Sequence, residues 1–282
     1  MGSSYYKLYV CFLITAPPSE MENSLMKDYN KTIWSVFLKA VREYGLIKEN
    51  DKIAVCISGG KDSMLLALCI KLWQRYSPYH FDAVYISVNS GYTGENISKI
   101  KSNAQLLGIP LEIYNADIFK SVEKSKKSPC FVCSRLRRGF LYKTAQEIGC
   151  NKIALGHHYD DAVETTLMGM LYGSQMQTML PRIKSKNYSI ELIRPLWLVR
   201  ERNIIEWCSA NSLSFSKCDC KVTDGSGRIS KREEIRDLLE YIRKTNPDAD
   251  RHIFSSSQNV NLENLVSYHK GDEYHNFLEE FD

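Results

Sequence analysis

Apolar positions along the chain switch between two periods, and the switches mark out its elements. Over 26–44 they recur at helical spacing, with Ile33, Val36, Phe37, Ala40 and Val41 on one face, and Gly45 ends the run. Strand and helix signals then alternate. The stretch 52–57 is a short, β-branched apolar run that predicts a buried strand, and 63–73 is a strongly apolar helix. Further strands are expected at 82–88, 111–114, 152–155 and 188–193, with helices at 96–107, 134–148, 160–172 and 201–209. Such alternation implies parallel strands joined by right-handed crossovers, hence an open α/β sheet with helices on both faces. Ligands of such sheets sit at the carboxyl ends of the strands, near the reversal of strand order. The loops after Ile57, Val88, Tyr114 and Leu155 are therefore the ones to search.

Beyond Ser209 the pattern changes. Segment 215–227 is polar and carries glycines and cysteines, 230–244 is a helix with Ile235, Leu238, Leu239 and Ile242 on one face, and the remainder is polar. The expected organisation is a flexible N-terminal extension over 1–25, one large domain over 26–215 and a small C-terminal appendage over 216–282. A chain of 282 residues can bury a full core without cross-links. No apolar stretch approaches the roughly 20 residues that span a bilayer. The run from Tyr9 to Ile14 is short, stops before Pro17 and has Lys7 as its only preceding basic residue, so no membrane partner is expected. Nine cysteines, some of them in apolar runs (Cys56, Cys69), do not make the disulfide framework of a small secreted chain and point to the reducing cytoplasm. A net charge of +4 permits an RNA partner without requiring one. Two basic clusters matter more: Lys124, Lys126 and Lys127, then Arg135, Arg137 and Arg138.

Ser58-Gly59-Gly60-Lys61-Asp62-Ser63 lies between the first buried strand and the apolar helix. Its glycines let the backbone turn and bring N–H groups to an anion with no Cβ in the way. The following helix N-terminus adds donors and partial positive charge, Ser58 and Ser63 add hydroxyls, and Lys61 adds a full charge. This is not a Walker A loop, because Val55 stands at the first glycine position and Asp62 follows the lysine where Ser or Thr is required. The loop resembles the SGGxDS pyrophosphate loop of the PP-loop ATP pyrophosphatase superfamily. That resemblance implies an adenine nucleotide α-hydrolase-like fold over 26–215 that binds ATP and Mg²⁺. It also implies cleavage between the α and β phosphates, with pyrophosphate held in the loop and AMP passed to a substrate carbonyl oxygen.

Pro129-Cys130-Phe131-Val132-Cys133 is a CxxC, which alone fits half a zinc site, a redox pair or part of an iron–sulfur site. It runs on into Ser134-Arg135-Leu136-Arg137-Arg138-Gly139 and Phe140-Leu141-Tyr142. Together these segments resemble the PCxxCSRLRRGxLY signature of the TtcA family, the tRNA 2-thiocytidine synthetases. Leu155-Gly156-His157-His158-Tyr159-Asp160-Asp161 with Glu164-Thr165 is similar to that family's LGHHxDDxxET segment. Ile193-Arg194-Pro195-Leu196 with Arg200-Glu201 is similar to its IRPLxxxxE stretch, and Phe254-Ser255 with Gln258-Asn259-Val260 to its C-terminal pattern. The resemblance implies a [4Fe–4S] cluster on three cysteines, two of them Cys130 and Cys133. The family's second PCxxC is here the CxC Cys218-Asp219-Cys220, which makes Cys218 the expected third ligand and Cys220 its alternative. Three ligands leave one iron open to take sulfide, whereas all four cysteines around zinc would close the site.

Asp160 and Asp161 open a helix just beyond a strand end. A carboxylate there can offset the helix dipole, hold Mg²⁺ against phosphates or assist proton transfer. Gly156 is expected at the nucleotide, and Ser87, Val88 and Asn89 with the turn at Asp117-Ile118 at adenine and ribose. Arg135, Arg137 and Arg138 stand at the start of the 134–148 helix, where positive charge is locally costly. Together with Lys126 and Lys127 they point to a phosphate partner, ATP or the RNA backbone. The expected activity is ATP-dependent tRNA thiolation at the C2 oxygen of an anticodon-loop cytidine. Its catalytic set is Lys61, Asp62, Asp161, Cys130 and Cys133, its sulfur donor a cysteine desulfurase or sulfide, and its assembly a homodimer. Three other readings stand beside it: sulfur insertion into a tRNA uridine or a small molecule, an amide-forming ligase with no use for Cys130 and Cys133, and a zinc-bound nucleotide-binding protein without catalysis.

Overall fold

The computed structural model describes residues 19–89, 91, 93–116, 129–215 and 230–281. The chain forms two compact units, Met1–Asp161 with Leu180–Arg228, and Ala162–Met179 with Ile229–Asp282. The second unit thus draws on the middle of the chain as well as its end, unlike the appendage expected over 216–282.

In the larger unit, helix α1 (Glu20–Lys27), a π-helical stretch (Asn30–Trp34) and α2 (Ser35–Glu43) precede the sheet. Helix begins before residue 26 because Ser19-Glu20-Met21-Glu22 is a capping box: the Ser19 hydroxyl accepts from Glu22 N–H at 3.2 Å, and the Glu22 carboxylate from Ser19 N–H at 2.9 Å. Leu25 is fully buried, and Glu22 is buried between Lys71 at 2.9 Å and Arg75 at 3.2 Å. Part of the stretch expected as a flexible extension is therefore packed onto the next helix but one.

That helix, α3 (Lys61–Tyr76), follows β1 (Lys52–Cys56) and leads to β2 (Asp82–Asn89), α4 (Gly94–Leu106) and β3 (Leu111–Asn115). Helix α5 (Pro129–Glu147) then feeds β4 (Lys152–Ala154), on the other side of β1. Helix α6 (Tyr159–Gly173), β5 (Arg182–Lys184), β6 (Glu191–Ile193) and α7 (Glu201–Ala210) follow. The six strands are ordered β3-β2-β1-β4-β6-β5. Four neighbouring pairs are parallel, as expected. The β5–β6 pair is antiparallel: the strand expected at 188–193 is shortened to β6, and β5 is a further edge strand, not expected, added to the otherwise parallel sheet. Alternate strand residues serve opposite faces. Ile53, Val55, Ala83 and Tyr85 pack with α2, α3, α4 and α7, while Ala54, Cys56, Val84 and Ile86 pack with Tyr142 and Ala145 of α5. Helices cover both faces, and the strand order reverses between β1 and β4.

Helix α5 starts at Pro129, five positions earlier than the expected 134. Proline suits a first helical position because its missing N–H has no intrahelical partner there. Arg135, Arg137 and Arg138 consequently lie beyond the first turn, and the local dipole cost expected for them does not arise.

In the smaller unit, the later turns of α6 meet α8 (Lys231–Thr245): buried Glu164 takes Arg236 at 2.7 Å and Arg232 at 2.9 Å. Helix α9 (Ala249–Ser256) and the hairpin of β7 (Ser267–Lys270) with β8 (Glu273–Asn276) fold where a polar tail was expected.

Candidate nucleotide site

The reversal of strand order puts the loops after β1 and β4 side by side at the carboxyl edge of the sheet. The first is Ser58-Gly59-Gly60, which ends in α3. Gly59 takes φ +88°, and a Cβ there would sit 2.6 Å from Ile100 Cγ1, so glycine is required twice over. The loop is cross-braced by its serines: Ser63 Oγ donates to the Gly60 carbonyl at 2.9 Å and accepts from Ser58 N–H at 3.1 Å. The second loop is Leu155-Gly156-His157-His158. It passes so close to the first turn of α3 that a Cβ on Gly156 would lie 2.9 Å from the Asp62 carbonyl carbon and 3.0 Å from Ser63 N. Both contacts are backbone and cannot swing aside. Gly156→Ala is therefore expected to cost about 1–3 kcal/mol in stability and to weaken ATP binding at least about ten-fold by displacing the first turn of α3. A thermal melt and a calorimetric ATP titration measure the two effects.

Lys61, Asp62, His158, Asp160, Asp161 and Glu201 form one charged group. Lys61 Nζ lies 2.7 Å from Glu201 and 3.2 Å from Asp62. The ring of buried His158 lies 3.5 Å from Asp161 and 3.8 Å from Asp62, and the His158 backbone N–H donates to the Asp161 carboxylate at 3.0 Å. Asp160 accepts from the Glu201 N–H at 2.7 Å and faces Arg200 at 3.8 Å, whose guanidinium lies over the Tyr159 ring. Burial pushes the Asp62 carboxyl up, with Glu201 adding to it, while His158 and Lys61 oppose the shift without cancelling it. For Lys61 burial acts downward, but Asp62 and Glu201 outweigh it and hold the ammonium above its ordinary value. The group thus presents a firmly protonated lysine beside a carboxylate whose charge is costly without a further cation.

A cavity of 280 Å³ opens beside this group. Ser58, Asp62 and Ser63 form its phosphate-loop wall, and Gly156, His157 and Asp161 its second wall. Val88 and Cys56 come from the sheet, and Arg137 and Leu141 from α5. Buried Arg194 backs the second wall, where its Nε donates to His157 Nδ1 at 3.3 Å and its Nη1 to the Leu180 carbonyl. Burial lowers its guanidinium to about 10, with Arg138 adding to the effect and Tyr142 and Asp161 opposing it, so it stays charged at neutral pH.

The structure thus brings together Ser58, Gly59, Gly60, Lys61, Asp62, Ser63, Val88, Gly156, Asp160, Asp161 and Arg137. Ser87 is buried but does not line the cavity, because its neighbour Val88 takes that face of β2. Arg135 and Arg138 are exposed on α5. Positions 130 and 133 lie in the first turns of α5. Lys126, Lys127, Asp117, Cys218 and Cys220 lie outside the described residues. Sequence reasoning gave no role to Arg194 or Glu201, although both sit in the Ile193–Leu196 and Arg200-Glu201 motif; their contacts join segments 37 and 140 residues apart.

A sequence profile described as a PP-loop domain matches residues 28–239. The tRNA-cytidine(32) 2-sulfurtransferase of Geobacter metallireducens is 36% identical over 231 residues, 81% of this chain and 89% of the relative. The enzyme of the same name from Methylobacillus flagellatus is 34% identical over 253 residues, 88% of this chain and 82% of the relative. Among solved structures, the U34-tRNA thiolase NcsA from Methanococcus maripaludis with its [4Fe-4S] cluster superposes with a TM-score of 0.63, covering 79% of this chain and 76% of that one. At 22% identity that likeness speaks for the fold. With the phosphate loop at the strand-order reversal, the profile across most of its length and relatives matched along most of theirs, the chain belongs to the PP-loop family and, within it, to the tRNA-cytidine(32) 2-sulfurtransferases.

Proposed function

We propose that the chain is an ATP-dependent tRNA sulfurtransferase that replaces the C2 oxygen of an anticodon-loop cytidine, cytidine 32 in its relatives' name, with sulfur. One observation carries the reading. The helix that begins with Cys130 and Cys133 also supplies Arg137 and Leu141 to the cavity beside the phosphate loop. Positions 130, 133, 137 and 141 fall on one stripe of the helix, which supports a sulfur site beside the nucleotide cavity.

In this reading the β and γ phosphates of ATP seat on the loop, and the cytidine C2 oxygen attacks the α phosphorus. The bond to the bridging oxygen breaks, and its electrons leave with pyrophosphate, whose growing charge is met by Lys61 and the free N–H groups of α3. Sulfide then adds to C2, and AMP departs with the original oxygen. Asp62 and Asp161, the two carboxylates that line the cavity, would hold Mg²⁺ together with the phosphates, which supply its remaining oxygen ligands; the raised pKa of Asp62 fits a carboxylate placed to gain a cation. Cys130, Cys133 and Cys218 or Cys220 would hold a [4Fe–4S] cluster, which supplies the sulfur-carrying iron. The sulfur would come from free sulfide, or from a cysteine desulfurase persulfide together with a two-electron reductant such as a thiol pair. Arg135, Arg138, Lys126 and Lys127 meet the RNA backbone, and the base swings out of a single-stranded loop at small cost. The enzyme works in the cytoplasm as a homodimer.

Anaerobic purification with iron and sulfide analysis tests this reading, together with nucleoside mass spectrometry of tRNA from a deletion strain. Iron-bearing protein and loss of 2-thiocytidine are expected. Unchanged tRNA and a zinc-bound, iron-free protein would overturn it.

A further inference from the structure

Glu201 has no part in the steps above, yet it makes the shortest contact to the loop lysine. It is the first residue of α7. Its own N–H donates to Asp160 at 2.7 Å, which ties the start of α7 to the start of α6. Its carboxylate lies 2.7 Å from Lys61 Nζ, closer than the 3.2 Å of Asp62. Lys61 is the first residue of α3, where unpaired N–H groups and the peptide dipoles repel a cation. An ammonium on a flexible four-carbon stem has no direction of its own. Against that repulsion, one charge-assisted hydrogen bond donated to an anchored carboxylate decides where the ammonium sits.

We infer that Glu201 is the positioning residue of the phosphate loop: it acts through Lys61, fixing the ammonium where pyrophosphate gains charge, and itself touches neither ATP nor RNA. The inference rests on the adenylating reading of the loop, but not on which base is thiolated. It opposes the simplest alternative, in which Glu201 competes with phosphate for the lysine. A competitor's removal tightens ATP binding; a positioning group's removal weakens it and slows pyrophosphate release more.

The test is a double-mutant cycle in the full chain with Glu201→Gln, Lys61→Ala and the pair. AMP and pyrophosphate formation with tRNA gives kcat and KM, calorimetry with ATP gives affinity, and mass spectrometry reads thiolation separately. Glu201→Gln is expected to lower kcat on the order of ten-fold, the worth of one charge-assisted hydrogen bond, with a smaller loss of ATP affinity. Both losses are expected to vanish in the Lys61→Ala background, where nothing is left to position. Losses that multiply in the double mutant, an unchanged kcat, or tighter ATP binding by Glu201→Gln overturn the inference. Should Glu201→Gln lower the melting temperature sharply, Glu201→Asp replaces it: its shorter carboxylate leaves Lys61 while keeping the helix-start charge, and the same cancellation is expected. ATP cleavage without thiolation would sink the proposed function and leave the cycle readable. Absence of all turnover would do the same, with the cycle then read from ATP affinity.

Discussion

Cys133→Ala is expected to abolish 2-thiocytidine formation and cluster iron while ATP still binds and the protein still melts cooperatively. On the reading above the cysteine is one of three ligands, and none of the three is spare. Loss of one leaves an iron without its thiolate, and outer contacts do not replace a first ligand. Its place on α5 makes the change local. The mutated position lies about two and a half turns before Tyr142 and more than three before Ala145, the residues that anchor the helix to the sheet, so the anchoring residues are untouched. Cys69→Ala is the control. Cys69 is fully buried in α3, and burial alone pushes its thiol far up, so it remains a small apolar core group without thiolate character. It should lose stability and keep iron and thiolation. Iron analysis, nucleoside mass spectrometry and a melting curve on the two variants settle the matter; thiolation surviving in Cys133→Ala would remove that residue from the ligand set.

Lys61→Ala is expected to slow AMP and pyrophosphate formation about 10²–10³-fold, the cost of removing one preorganised charge partner from a developing anion. Glu201 and Asp62 hold the ammonium charged in the folded protein, so the wild type loses nothing at neutral pH to deprotonation of this group. The variant leaves Asp62, His158 and Asp161 facing one another without the compensating cation. Part of the loss should therefore appear as weaker metal-dependent ATP binding at low Mg²⁺. Rates measured over a Mg²⁺ series at saturating tRNA distinguish the two parts, and a loss below ten-fold would show that the loop N–H groups suffice.

Much of this architecture was visible in the chain because its signals are local. A β-branched run, two glycines and an apolar helix mark the phosphate loop within residues 52–73, and Asp160-Asp161 after a strand marks the opposite wall. Other features were hidden for physical reasons. Strand β5 is three residues long, reads Arg-Ile-Lys and lies at the sheet edge, so burial imposes no pattern on it. The start of α1 carries only a capping box, because its apolar face is too short to show a period. Pro129 announced the start of α5, but the apolar period became clear only past the cysteines. Arg194 and Glu201 escaped because their partners are set by the meeting of β4, α3 and α7, which no local window contains.

Helix α5 has a last consequence. From position 133 to the cavity-lining Arg137 the helix rises only about 6 Å, and from 130 about 10 Å. On the proposed reading, a rod of that length puts sulfur addition within reach of the activated base, so the intermediate need not be released between the two steps. An activated cytidine that drifted into solvent would be open to hydrolysis, with ATP spent and the base restored. On that reading, with sulfur chemistry at Cys130 and Cys133, the helix would act as a ruler that holds the two reactions about 6–10 Å apart, and futile ATP consumption would be suppressed by geometry rather than by speed.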